Sequence, residues 1–415
     1  MGKTIIEKII EAHSDEPVEP GKIVWMELDV RSARDFGGAN VVKNYKANYQ
    51  DSPVADAAKT FFTFDCVVPA NNIPYAVNQH LARRWAAEQG IRVYDVNAGI
   101  GSHVMMEQGL ALPGGTVVGT DSHLNILGAI GCFGQGMGDQ DIAFAFKAGK
   151  TWFEVPPTIK VRVKGELQPP CTAKDLTLAV LRALGASGAL GKAIEFYGPA
   201  VDALDLPGRI TLSSMVTEMG GIVGLIPPSE QVLATMRQRA GRPGIQATYA
   251  DADAQYVEEI IVDITGLEPL IACPPKPDNV KTVREVAGTR VDSVFIGSCT
   301  NGRYEDLYLV ANLVRGQKIK PWVMASVVPA THEVWQQILS DGTLQTLFDA
   351  GFIISNAGCG GCAAGQIGMT GDKEVQVGTG NRNFAGKQGP GDTYLASPLV
   401  AAWAALTGEI TVPRA

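Results

Sequence analysis

Short apolar runs alternate with longer amphipathic stretches along most of this chain. In its first third, KIVWMELDV (22–30), TFFTFDCVVP (60–69), IRVYDV (91–96) and GGTVVGTDSH (114–123) are rich in β-branched and aromatic residues and read as strands. Between them, IPYAVNQHLARRWAAEQG (73–90) reads as a helix. The last third repeats the habit, with strand VDSVFIG (291–297), helix RYEDLYLVANLVRG (303–316), strand KPWVMASVV (320–328), helix THEVWQQILSDG (331–342) and strand GFIIS (351–355). Strand–helix alternation of this kind predicts an α/β fold of mostly parallel sheets flanked by helices. Two proline-rich stretches, FEVPPTIKVRVKGELQPP (153–170) and LIACPPKPDNVKTV (270–283), break the pattern and predict three domains, at 1–156, 157–275 and 276–415. No internal repeat or low-complexity tract is visible.

At 415 residues the chain is too long for one hydrophobic core, and its 47 glycines suit many tight strand-to-helix turns. A net charge of −8 with no Lys/Arg cluster argues against a nucleic-acid surface. No apolar run approaches the length of a membrane span, and Glu7, Glu11, Asp15 and Glu16 interrupt any reading of the N-terminus as a signal peptide. Seven cysteines do not form an evident disulfide framework, so the expected compartment is the cytoplasm.

The chemistry concentrates in SNAGCGGCAAG (355–365), where Cys359 and Cys362 stand three apart among glycines and alanines. A third thiol, Cys299, follows a strand of the same block in SVFIGSCTNGRYEDL. Carboxyl ends of parallel strands share one edge, where ligands bind, so the three can converge. A thioredoxin-like redox pair would leave Cys299 without a role, and a structural zinc site would want a fourth ligand. An iron–sulfur cluster fits better, because small residues let the backbone close around a cubane and offer it N–H groups. Three thiols on a 4Fe-4S cluster leave one iron open as a Lewis acid for a hydroxyl and a carboxylate. Cys66, Cys132, Cys171 and Cys273 read by default as inert buried thiols. The glycine run GQGMGDQD (134–141) invites a dinucleotide reading, but it follows an apolar stretch that reads as helix instead of strand, which argues against it.

Four segments in order, VVGTDSHLNILGAIG, SVFIGSCTNGRYEDL, AGCGGCAAG and TGNRNFAGKQGPGDTYLASPLVAAWAALTGEI, resemble the aconitase superfamily, most closely its 3-isopropylmalate dehydratase and homoaconitase large-subunit branch. The resemblance implies three α/β domains around a 4Fe-4S cluster held by Cys299, Cys359 and Cys362. It implies reversible removal of water from a small hydroxy di- or tricarboxylic acid. It also implies a small-subunit partner bearing the swivel domain that single-chain members carry themselves. Carried over position by position, Asn381 would support a cluster sulfide, and Arg382 and Lys387 would meet substrate carboxylates. Ser122 would also touch substrate, with Asp121, His123 and Glu218 near the open iron. Without the resemblance, GTDSH reads as a strand end capping a helix, NRN as a turn, and Glu218 as a solvated helix charge.

The chain departs from the family at four places. Asp65-Cys66 stands where the family has Asp-His, and Ser102 stands where it has a second histidine. His103 follows one residue later, which in a strand faces the other side. Lys387 replaces a usual arginine, and Ser214 an expected asparagine beside the cluster. These departures keep three readings open: a dehydratase with reassigned acid–base residues, a relative with another hydroxy-acid substrate or altered chemistry, and a non-catalytic cluster-bearing sensing subunit.

Overall fold

The structure of the chain, a computed structural model, describes residues 2–362 and 366–414, with Cys362 described by its backbone alone. Alternation predicts a single strand up to Val30, but the segment makes two, β1 (Ile23–Glu27) and β2 (Val30–Arg34). β1 exposes Ile23 and Trp25, whereas β2 is buried throughout, arginines included. Arg31 tolerates this because its guanidinium donates to the carbonyls of Leu28 (3.0 Å) and Asp56 (2.9 Å). With β3 (Thr60–Thr63), β4 (Arg92–Tyr94), β5 (Thr116–Gly119) and β6 (Phe133–Gly136), β2 builds a wholly parallel sheet in the order β4-β3-β2-β5-β6. Strand β7 (Lys150–Glu154) then returns to pair antiparallel with β1.

Strands β8 (Thr158–Lys164), β9 (Ala193–Tyr197), β10 (Gly224–Leu225) and β11 (Glu258–Asp263) form a second parallel sheet, ordered β10-β9-β8-β11. The third sheet takes β12 (Leu270–Ala272), β13 (Val280–Thr282), β14 (Ser293–Ile296), β15 (Met324–Val327), β16 (Ile353–Ile354), β17 (Val375–Gly378) and β18 (Asp392–Ala396). Its order is β13-β12-β18-β17-β14-β15-β16, antiparallel at β12 and parallel from β18 to β16.

Strand order reverses between β2 and β5 in the first sheet and between β14 and β17 in the third. Such reversals open crevices at the carboxyl ends of the strands. The two crevices are brought together by an apolar cluster that includes Ile100, Met105, Ile126, Ile210 and Ala330, and also Cys299 and Cys359.

One local expectation changes. Residues 101–107, expected as a strand, form a helix (Gly101–Glu107), so Ser102 and His103 are about 100° apart and both are buried. Gly101 starts it because a Cβ there would lie 2.4 Å from Thr63 Oγ1. The apolar stretch ahead of GQGMGDQD is helical as expected (Leu124–Ile130), and the run itself occupies most of β6 and the start of helix Asp139–Ala148. Asp139 and Asp141 fill that helix's first turn with carboxylates, where a phosphate would be repelled.

Candidate active site

Arg34 ends β2, and its buried guanidinium spans the first crevice. Nε donates to Asp65 Oδ1 at 2.6 Å, Nη1 to Asp121 Oδ1 at 2.7 Å and Nη2 to Cys359 Sγ at 2.8 Å. One cation thereby ties the ends of β3 and β5 to the cysteine loop that follows β16. Burial opposes its charge, yet Asp121 and Asp65 outweigh that and hold Arg34 well above the usual guanidinium range. Asp35, next along, accepts from the backbone N–H groups of Asp65, Cys66 and Val67 and so sets the turn that carries the first two. Asp35, Asp65 and Cys66 lie close enough to suggest a metal cluster. The carboxylates are already engaged by these N–H groups, by Gln79, by Arg34 and by Gly101 N (2.7 Å), so they serve as hydrogen-bond acceptors.

A second network faces the first. His123 Nε2 and Arg382 Nε both contact Glu218 Oε1 at 2.9 Å, and Arg382 Nη2 donates to Ser122 Oγ at 3.1 Å. Glu218, far from being a solvated charge, is buried. Burial pushes its carboxyl up, but His123 and Arg382 prevail and hold it below the usual range. Its Oε2 is buried with no hydrogen-bond partner among the described residues. Asn381 Oδ1 approaches Cys299 Sγ at 3.5 Å, and its Nδ2 reaches Ser214 Oγ at 3.4 Å. Lys387 lines a small cavity with His123, Asn381 and Arg382. Arg382 is partly open and Ser122 exposed, giving this network the approach from solvent.

The structure thus gathers Asp65, Cys66, Asp121, Ser122, His123, Ser214, Glu218, Cys299, Cys359, Asn381, Arg382 and Lys387 at the facing crevices. The side chain of Cys362 lies outside the described residues. His103 is present but differently employed: its Nε2 contacts the carbonyl of Cys299 at 3.0 Å. Burial, with help from Arg303, pushes it down to about 3, so it is neutral and donates this bond, a poor proton carrier at neutral pH. Sequence reasoning missed Arg34 and Asp35, because Arg-Asp after VRSA looks like a polar surface stretch. It also missed Tyr75, which packs against Cys66 and Val67 with a buried hydroxyl that has no partner among the described residues.

Asp65 and His103 have opposite effects on stability with pH. Burial, then Asp35 and Asp121 against the pull of Arg34, push Asp65 from 3.8 up to about 7. The folded chain therefore holds a proton there that the unfolded chain releases, and this contribution fades as pH rises from about 4 to about 7. His103 is held neutral while its unfolded counterpart protonates below about 6.5, so its contribution fades as pH falls from about 6.5 towards 3. Denaturant midpoints measured across pH 4 to 7 should rise more steeply with pH in Asp65→Asn than in wild type, and less steeply in His103→Gln. Parallel profiles would contradict both assignments.

Residues 7–290 and 280–408 match the family model described as the aconitase family (aconitate hydratase). The chain is 42% identical to the 3-isopropylmalate dehydratase large subunit 1 of Methanopyrus kandleri, over 100% of this chain and 99% of that one. It is 41% identical to the homoaconitase large subunit of Thermus thermophilus, over 100% and 98%. Among solved structures, aconitase X of Thermococcus kodakaraensis shares the fold at a TM-score of 0.53 and 12% identity, covering 91% of this chain and 89% of that one. The chain belongs to the aconitase family. It is a hydro-lyase of that family, and the sensing-subunit alternative is not favoured.

The family implies a 4Fe-4S cluster, and the residues present fit one. Cys299 and Cys359 are buried at the meeting of the crevices. The Arg34 guanidinium sets a positive charge 2.8 Å from Cys359 Sγ. The loop on either side of Cys359 is too tight for side chains: a Cβ on Gly360 would lie 2.7 Å from the Phe295 ring, and one on Gly358 2.9 Å from the Asp65 carbonyl oxygen. Ser298, which leads into Cys299, sits at φ +69 beside Asn381, a left-handed conformation that costs roughly 1–3 kcal/mol in a non-glycine residue.

Proposed function

We propose that this chain is the large subunit of a 3-isopropylmalate dehydratase-like enzyme. It would remove and re-add water on a hydroxy di- or tricarboxylic acid, together with a small subunit that supplies the swivel domain. In this reading residues 1–156, 157–275 and 276–415 form three domains around a 4Fe-4S cluster held by Cys299, Cys359 and Cys362, in the cytoplasm. Bound there, the cluster supplies a Lewis-acidic iron that polarises the substrate hydroxyl.

The observation that carries the reading is the Arg382–Glu218–His123 network, open to solvent at Arg382 and Ser122 and adjoining Cys299 through Asn381. The Arg382 fork and the Lys387 ammonium suit substrate carboxylates. Lys387 gives a point charge where a second guanidinium would hold a carboxylate in plane, which favours a substrate less strictly oriented at that end. Glu218 Oε2, an acceptor with no described donor, is placed to take a hydrogen bond from the departing water. Ser122 Oγ, accepting from Arg382, contacts the substrate beside it. Asp65, pushed to about 7, can hold or release a proton near neutrality and takes up the acid–base task with Cys66.

The test is proton NMR of 2- and 3-isopropylmalate, citrate and homocitrate incubated in deuterated water with the anaerobic large subunit and its small partner. The expected result is deuterium entering one of these acids, with exchange much reduced when the partner is omitted. No exchange into any of them would count against the reading, and full exchange by the large subunit alone would remove the partner from it.

A further inference from the structure

Lys174 is fully buried, and it stands in the first turn of helix Ala173–Leu184. Both circumstances disfavour an ammonium: burial removes its hydration, and the positive end of a helix dipole repels it. Lysines are almost never wholly buried unless something engages the charge. Here Nζ donates to the carbonyls of Thr379 (3.0 Å) and Gly380 (2.7 Å), the two residues between β17 and Asn381. Thr379 O also accepts from Thr300 Oγ1 at 2.6 Å, next to Cys299. The ammonium lies within electrostatic reach of Glu218 and Cys299, which favour its charged form.

Resting on the hydro-lyase reading above, we propose that Lys174 is a positioning residue. It reaches from the middle of the chain to lock the Thr379–Gly380 turn, and so sets Asn381 against Cys299 and Arg382 against Glu218 and Ser122. The geometry explains why the cation is placed there. Two consecutive carbonyls pointing at one ammonium fix the backbone from which Asn381 and Arg382 diverge, and Gly380 O has no other donor among the described hydrogen bonds. Methionine at this position would keep the stem but leave Gly380 O unsatisfied. Glutamine retains a donor and should fall between.

The experiment compares the full-length chain, cluster-loaded anaerobically, as wild type, Lys174→Met and Lys174→Gln. Hydrogen–deuterium exchange is the first readout. Amides of 379–386 should lose at least tenfold protection in Lys174→Met and less in Lys174→Gln, with the β8–β9 sheet unchanged. The second readout is calorimetric binding of tricarballylate, an unreactive tricarboxylate. Lys174→Met should weaken binding about tenfold or more in the wild-type background, and hardly at all when Arg382→Ala is already present, because the lysine acts through that arginine.

Unchanged exchange at 379–386, or equal weakening in both backgrounds, would overturn the proposal. A loss of protection spread over the whole chain in both variants would assign Lys174 to general stability and overturn it too. If wild type binds no tricarballylate, the substrate reading is at fault, while the exchange measurement still decides the role of Lys174.

Discussion

Arg34→Met is expected to destabilise the chain by about 3–5 kcal/mol at neutral pH, the effect of removing one partner from a buried ionic cluster. Arg34 is the common partner of Asp65 and Asp121, both buried, and methionine keeps the aliphatic stem while deleting all three donors. Two carboxylates would then share one crevice with no cation between them, and each favours the proton-bound form. Asp65, pushed to about 7 even beside Arg34, would hold its proton at neutral pH without it, so the loss rests mainly on Asp121 and should shrink as pH falls and Asp121 becomes protonated. A denaturant midpoint series measures it, with Arg83→Met as comparison. Arg83 pairs with Asp95 through two hydrogen bonds of 2.6 and 2.7 Å, but both partners are about a third exposed. Solvent screening there limits the expected loss to about 1 kcal/mol or less. Restoring neutrality with Asp65→Asn and Asp121→Asn in the Arg34→Met chain should recover most of the difference. Equal losses for Arg34→Met and Arg83→Met would mean that the crevice is not an ionic junction.

Arg34 also marks where the sequence stopped being legible. Strands with apolar alternation or dense β-branching, such as Val291–Gly297 and Gly114–Gly119, announced β14 and β5, and the amphipathic stretches between them announced helices. β2 did not announce itself, because VRSAR reads as surface. Its arginines are buried, and their partners come from residues 28, 56, 60, 65, 121 and 359, pairings that no local pattern encodes. Glu218 failed the same local test, since only the fold brings His123 and Arg382 to it. Segment 101–107 was misread because Gly-Ser-His carries little periodicity, and the helix there begins where Gly101 N meets Asp65 Oδ2. The cysteine loop was legible, because glycines beside thiols have a steric reason that is visible in one dimension.

The second large effect concerns the cluster. Cys299 follows β14 and Cys359 follows β16, two strands apart at the carboxyl edge of the third sheet, and the Asp65-Cys66 turn meets Cys359 through Arg34 and through the Cys359 N–H, which donates to Asp65 O at 2.9 Å. Cys132 shares the apolar cluster but sits at the amino ends of β5 and β6, where its thiol donates to Gly115 O at 3.3 Å and is pushed up chiefly by desolvation, which makes it a poor metal ligand. Serine at Cys299, Cys359 or Cys362 should each reduce bound iron and sulfide severalfold and abolish hydro-lyase activity, whereas Cys132→Ser should leave both intact.

The most direct test of the account is iron, sulfide and zinc analysis of protein prepared and reconstituted without oxygen, run on wild type beside these four variants. The account predicts close to four irons and four sulfides per wild-type chain, little zinc, and loss in the Cys299, Cys359 and Cys362 variants alone. Stoichiometric zinc in wild type, or iron and sulfide unchanged in Cys359→Ser, would contradict it.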